Sequence, residues 1–251
     1  FNYYELYDNA YGYPYYGGDV YRDGHKYWFN GSSWNEYTSD DFFFFTNANA
    51  NPRDDNSHGT HVSGIIAARQ DNLTGVSGVA PRAKIMVLKA GDASGLFYSS
   101  DIIAAVKYAT TKGAKVINLS IGGGSFSEAE QEAFTNAYNQ GVTVLAAAGN
   151  DGDSSINYPA GYSYVIGVGA TDNKDQHAFF SNYNATVDVS APGVAVLSTV
   201  PSYYPTTPYQ FFNGTSMATP MASGVAALVK SKKPMATPAQ IEQILKESAD
   251  D

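Results

Sequence analysis

Four short apolar runs do most to limit what this chain can fold into. AKIMVLKA (83–90), AKVINLSIGG (114–123), VTVLAAAGN (142–150) and YVIGVGAT (164–171) lack the polar alternation of a half-exposed strand. Runs of this length read as strands covered on both faces. Between them lie segments with helical period. SSDIIAAVKYATTKG carries apolar residues at 102, 103 and 106, with Ser100 as its predicted N-cap and Gly113 beyond its end. Ser127 and Glu130 are spaced as a capping box for a helix that stops at Gly141. Towards the end, SMATPMASGVAALVKSKK is small or apolar at most positions and reads as a buried helix. TPAQIEQILKESA pairs Thr237 with Gln240 as a second capping box, puts Pro238 at the first helical position, and presents Ile241, Ile244 and Leu245 on one face. Strand alternating with helix predicts an α/β fold: a mostly parallel central sheet with helices on both faces, in three layers.

The expected organisation is one domain over residues 1–251, in two parts. Of the 35 aromatic residues, 18 fall in the first 45 positions, ending in Phe42–Phe45, so residues 1–46 form an aromatic-rich part and 47–251 a regular core. The net charge of −9, with no Lys/Arg cluster, argues against nucleic acid or an anionic membrane as partner. There is no cysteine, which excludes disulfides, thiol catalysis and thiolate metal sites. No apolar run reaches the roughly 18 residues that span a bilayer.

In an open parallel sheet, ligands bind outside the carboxyl ends of the strands. Three segments at such places hold chemistry-bearing residues: DDNSHGTHVSG, AAAGNDG and NGTSMATP. Ser216 opens the predicted buried helix, where unpaired N–H groups gather, although a serine there is more often only an N-cap. His58 and His61 flank a loop-to-helix junction. They could be a metal pair, but no acid stands between them as in the HExxH arrangement. Asn150 closes a strand, where an amide side chain ordinarily just shapes a turn.

Together and in this order, NSHGTHVSGIIAA, AAAGN and GTSMATP resemble the histidine, oxyanion and serine motifs of the subtilisin-like serine peptidases, the subtilases. GVSGVAP (75–81), VINLSIGG (116–123), YPA (158–160), FSNY (180–183) and VSAPG (189–193) are similar too, so the resemblance runs over roughly residues 50–250. It implies Ser216 as nucleophile, His58 as general base, and the Ser216 N–H with the Asn150 amide as oxyanion donors, leaving His61 structural. It implies that oxidation of Met217 impairs turnover. Substrate would be an extended protein or peptide chain between Ser120-Ile121-Gly122-Gly123 and Gly95-Leu96, the two glycines leaving room for large apolar residues. QDNLTGV (70–76) resembles a calcium loop, with the Asn72 side chain and the carbonyls of Gln70, Thr74 and Val76 as ligands. A secreted, calcium-stabilised monomer follows from the same resemblance.

The amino-terminal part departs from the pattern. The family's triad acid ends a buried strand in D-[TS]-G, and neither DTG nor DSG occurs here. Asp54 and Asp55 lie too close to His58 in sequence to cross from a neighbouring strand. Asp40 and Asp41 sit in SDDFF, which resembles the family's WDF at the opening of the loop before the histidine. Asp19 and Asp23 lie in a polar, turn-like stretch. Asp8 fits best, at the carboxyl end of the aromatic, strand-like FNYYELYD, although Asn9-Ala10 replaces Thr/Ser-Gly. The expectation is a serine endopeptidase with the triad Asp8, His58 and Ser216. The alternative is a catalytically impaired relative that binds peptides or serves a structural role.

Overall fold

The computed structural model describes residues 54–202 and 207–250 in full and, before residue 54, the backbone of four strands. Three of these, β1 (Asp19–Arg22), β2 (His25–Phe29) and β3 (Trp34–Glu36), form a small antiparallel sheet in the order β1-β2-β3. The fourth, β4 (Asp41–Phe45), belongs to the central sheet with β5 (Lys84–Leu88), β6 (Val116–Leu119), β7 (Thr143–Ala147), β8 (Val165–Thr171) and β9 (Val189–Pro192). The strand order is β5-β4-β6-β7-β8-β9 and every pairing is parallel. A two-stranded antiparallel ribbon of β10 (Val196–Thr199) and β11 (Tyr209–Phe212) stands apart from that sheet.

The helices are α1 (His58–Ala67), α2 (Ser99–Thr111), α3 (Glu128–Asn139), α4 (Thr215–Lys232) and α5 (Pro238–Glu247). Successive strand residues face opposite sides, and β6 and β7 show this directly. Ile117, Leu119, Val144 and Ala146 join Ile102, Val106 and Phe134 in the core beneath α2 and α3. Val116 and Leu145 point the other way, to Ala218, Ala222, Ala226, Ile241 and Leu245 of α4 and α5. A third cluster joins Val62, Ile65 and Ile66 of α1 to Val196 and Met217. The alanines of α4 let its backbone approach the sheet. Gly224 lets α4 approach the segment between α1 and β5, since a Cβ there would stand 2.7 Å from Cβ of Val79.

Two sequence readings need correction. The SDDFF stretch does not open a loop: Asp41–Phe45 is a strand between β5 and β6, with Phe43 opposite both Met86 and Ile117. An unbroken aromatic run suits a strand with neighbours on both sides, which outweighs the resemblance to a loop. Helix α2 begins at Ser99 behind Tyr98, which makes no side-chain cap, so Ser100 lies inside the first turn. The capping box of α5 forms in full, with Thr237 N–H donating to Gln240 Oε1 at 2.9 Å and Gln240 N–H to Thr237 Oγ1 at 3.3 Å. The strand expected to end at Asp8 lies outside the described residues.

Candidate active site

His58 is the first residue of α1, and an acid four residues upstream sets its position. Asp54 Oδ1 accepts from the N–H groups of Asn56 (2.9 Å) and Ser57 (2.8 Å). Asp54 Oδ2 accepts from Thr60 N–H (2.8 Å) and Thr60 Oγ1 (2.5 Å). The carboxylate thus satisfies the Thr60 N–H of the first turn, the task usually left to an N-cap side chain. Ser57, the actual cap, makes no such bond. Asp55 pairs instead with Lys89 at 3.0 Å. Burial holds the pKa of His58 below its ordinary 6.5, the charge of His61 adds to this, and the charge of Asp54 opposes it. The lowering favours the neutral imidazole, the form that accepts a proton.

His61, one turn on, is fully buried. Its Nε2 lies 3.0 Å from the carbonyl of Gln210, and its ring stacks on Phe212 with centroids 4.2 Å apart. Burial lowers its pKa also, against the pull of the Gln210 and Val196 carbonyls. This is the structural place expected for it, tying α1 to the β10–β11 ribbon.

Ser216 lies in the first turn of α4, after Gly214 with φ +147°. Two local features shape its surroundings. Asn150 Oδ1 accepts from Thr215 N–H (2.8 Å) and Thr215 Oγ1 (3.0 Å), so Nδ2 is the end of the amide left for a ligand. Pro220, inside α4, has no N–H to give the Ser216 carbonyl four residues back. Ser120 makes good the loss, its hydroxyl donating to that carbonyl at 2.8 Å. Behind it, Asn118 Nδ2 donates to Ser120 Oγ (3.0 Å) and Ser223 Oγ to Asn118 Oδ1 (2.9 Å), which completes a buried chain. The Ser216 hydroxyl itself donates to the Ser120 carbonyl at 3.2 Å rather than to His58. Without substrate such a hydroxyl commonly rests on another acceptor and turns to its base when the complex forms.

One cavity of about 440 Å³ has His58, Asn150 and Ser216 in its wall, with Phe211, Phe212, Asn213 and Met217. His58 follows β4 and Asn150 follows β7 at the carboxyl side of the parallel sheet, whereas Ser216 follows β11 of the antiparallel ribbon. Phe211 and Phe212 escaped sequence reading because only the β10–β11 pairing carries them there. Met217 is almost wholly buried.

A second cavity, of about 330 Å³, lies between the segments expected to flank an extended substrate. Gly95 and Leu96 form one side, in a tight loop where Asp92 N–H donates to the Leu96 carbonyl at 2.9 Å. Ile121, Gly122 and Gly123 form the other. Gly122 leaves room for Asn157 in a way the sequence did not disclose: a Cβ there would fall 2.0 Å from Nδ2 of Asn157, which donates to the Ala147 carbonyl. Gly123 donates its N–H to Tyr158, so pairing with an incoming strand would use the neighbouring groups. In the 70–76 loop Asp71, Leu73 and Gly75 all have positive φ, and Asn72 Oδ1 accepts from Thr74 N–H at 3.1 Å.

Residues 23–251 match the model of the Subtilase family. Subtilisin DY from Bacillus licheniformis is 46% identical over 200 residues, 78% of this chain and 71% of that protein. Thermitase from Thermoactinomyces vulgaris is 44% identical over 188 residues, 75% of this chain and 66% of that one. The cell wall-associated protease of Bacillus subtilis is 44% identical over 82% of this chain, which spans only 23% of that protein's length. Among solved structures, a cold-adapted subtilisin-like serine proteinase superposes with a TM-score of 0.75 at 29% identity, covering 84% of this chain and 82% of its own.

Proposed function

The chain belongs to the subtilase family, and on that premise we propose that it is a serine endopeptidase with Ser216 as nucleophile and His58 as general base. The observation that carries this reading is the single cavity onto which His58, Asn150 and Ser216 all open. The Ser216 hydroxyl leaves the Ser120 carbonyl, passes its proton to the neutral imidazole and attacks the scissile carbonyl. The oxyanion is held by the Ser216 N–H and by Asn150 Nδ2, whose oxygen Thr215 already fixes. Protonated His58 then gives the proton to the leaving amine, and water hydrolyses the acyl-enzyme by the same steps in reverse order. Asp8 is proposed as the acid that orients His58, on the sequence argument alone.

Protein or peptide substrates would lie as an added strand between Gly95-Leu96 and Ser120-Ile121-Gly122-Gly123, with broad specificity and a preference for large apolar residues beside the scissile bond. A secreted monomer is proposed on the family resemblance, the relatives being bacterial proteinases. For calcium, the donor set fits: the Asn72 side-chain oxygen and the carbonyls of Gln70, Thr74 and Val76 are neutral oxygens on one tightly wound loop. A bound ion there would fasten the loop that follows α1.

A fluorophosphonate probe tests the reading. Covalent labelling of Ser216, lost in Ser216→Ala and in His58→Ala, is the expected result. A folded parent chain that takes no label would favour the impaired, peptide-binding alternative.

A further inference from the structure

Glu130 is only 6% exposed, and it lines the second cavity. As the third residue of α3 it would normally turn back and accept from the N–H of the cap residue, Ser127. That N–H is already taken: it donates to the Tyr162 hydroxyl oxygen at 2.9 Å. Burial pushes the Tyr162 pKa up to about 12, and the neighbouring Glu130 side chain adds to the rise. A carboxylate can accept about four hydrogen bonds, and buried acids are almost always paired with a cation. Among the described residues the ion pairs are Lys89–Asp55, Lys246–Asp188 and Lys246–Glu242, and none includes Glu130.

The larger side chains that share this cavity with the acid are mostly apolar, Leu96, Phe97, Ile102, Ile121 and Tyr158, and Ser99 and Ser125 are the other polar ones. A chamber with an aliphatic and aromatic lining and one carboxylate matches a side chain with a long apolar stem and a cationic tip. The alternative, that Glu130 merely extends the helix cap through Tyr162, requires an acceptor there but no charge.

We propose that Glu130 makes the cavity between Gly95-Leu96 and Gly122-Gly123 a specificity subsite for a lysine or arginine side chain of the bound peptide. This rests on the peptide-binding part of the function proposed above. The cationic residue is one of those away from the scissile bond, because this chamber is separate from the one that holds Ser216.

Binding rather than turnover tests it, so the result does not depend on catalysis. The Ser216→Ala chain is titrated with fluorescent peptides that differ at one position at a time, Lys or Arg against Leu or Glu. At one position Lys should bind about tenfold more tightly than Leu, and Glu more weakly than both. Glu130→Gln keeps the size and the acceptor for Tyr162, and should bring the Lys-to-Leu ratio to within about twofold of unity. Circular dichroism confirms that this variant is folded. Equal binding of the whole series, no binding of any peptide, or a Lys preference that survives in Glu130→Gln overturns the proposal. Fluorophosphonate labelling of the parent chain reports the proteolytic reading independently, so the two can fail separately.

Discussion

Replacing Ser120 by Ala should show what the proline in α4 costs the nucleophile's own peptide group. The Ser120 hydroxyl is the donor that satisfies the Ser216 carbonyl, at 2.8 Å, in place of the N–H that Pro220 lacks. It also accepts from Asn118 Nδ2 at 3.0 Å. Its removal strands a carbonyl and an amide N–H in a region where Ser120 and Asn118 are 7% and 3% exposed. Each stranded group costs about 1–3 kcal/mol, and partial relaxation brings the expected total to about 2–4 kcal/mol. At roughly 2–4 °C per kcal/mol for a chain of this size, Tm should fall by about 5–15 °C. The control is Pro220→Ala, which returns an N–H four residues after Ser216. If the hydroxyl stands in for that N–H, Ser120→Ala should cost at least about 1 kcal/mol less in the Pro220→Ala background, in a double-mutant cycle read by thermal or urea unfolding. Strict additivity, or a Tm within about 1 °C of the parent for Ser120→Ala, would refute the reasoning.

Further outcomes are expected. Burial and the His61 charge lower the pKa of His58, so the rising acid limb of kcat/KM in Asp8→Asn should lie below pH 6.5, and below that of the parent, where the Asp8 charge raises it. The same variant should lose at least about a hundredfold in fluorophosphonate labelling rate, and unchanged labelling would remove Asp8 from the triad. Chelation should lower Tm if calcium binds the 70–76 loop, since about 2.7 kcal/mol of stability is lost when a ligand held at a hundred times its Kd is withdrawn. Asn72→Ala should abolish that difference, and a Tm insensitive to both chelator and calcium would exclude the site.

The sequence disclosed what local chemistry dictates and missed what distant chain supplies. Unbroken apolar runs marked β5 to β8, and Thr237-Pro238-Gln240 marked the start of α5, because each signal lies within a few residues. The histidine and oxyanion segments follow β4 and β7 of the parallel sheet, which brings them to one side, whereas the ribbon that leads into Ser216 left no such pattern in the sequence. The Glu130 arm of the expected capping box failed to form because Tyr162, far along the chain, reached the Ser127 N–H first. The roles of Asn157 behind Gly122 and of Gln210 beside His61 depend equally on tertiary approach. Asp54 makes four hydrogen bonds around the start of α1, and these have no signature in the spacing of the residues.

The position of β4 governs how this molecule can assemble. It is paired on both sides with strands that come later in the chain, β5 and β6, and no two neighbours in the six-stranded sheet are joined by a hairpin. Every rung must wait for a crossover to close, so there is no local nucleus from which the sheet can grow. The middle of the sheet stays open until the amino-terminal part is seated, with unpaired edges of β5 and β6 exposed meanwhile. Refolding should therefore be slow, and it competes with edge-to-edge association as concentration rises.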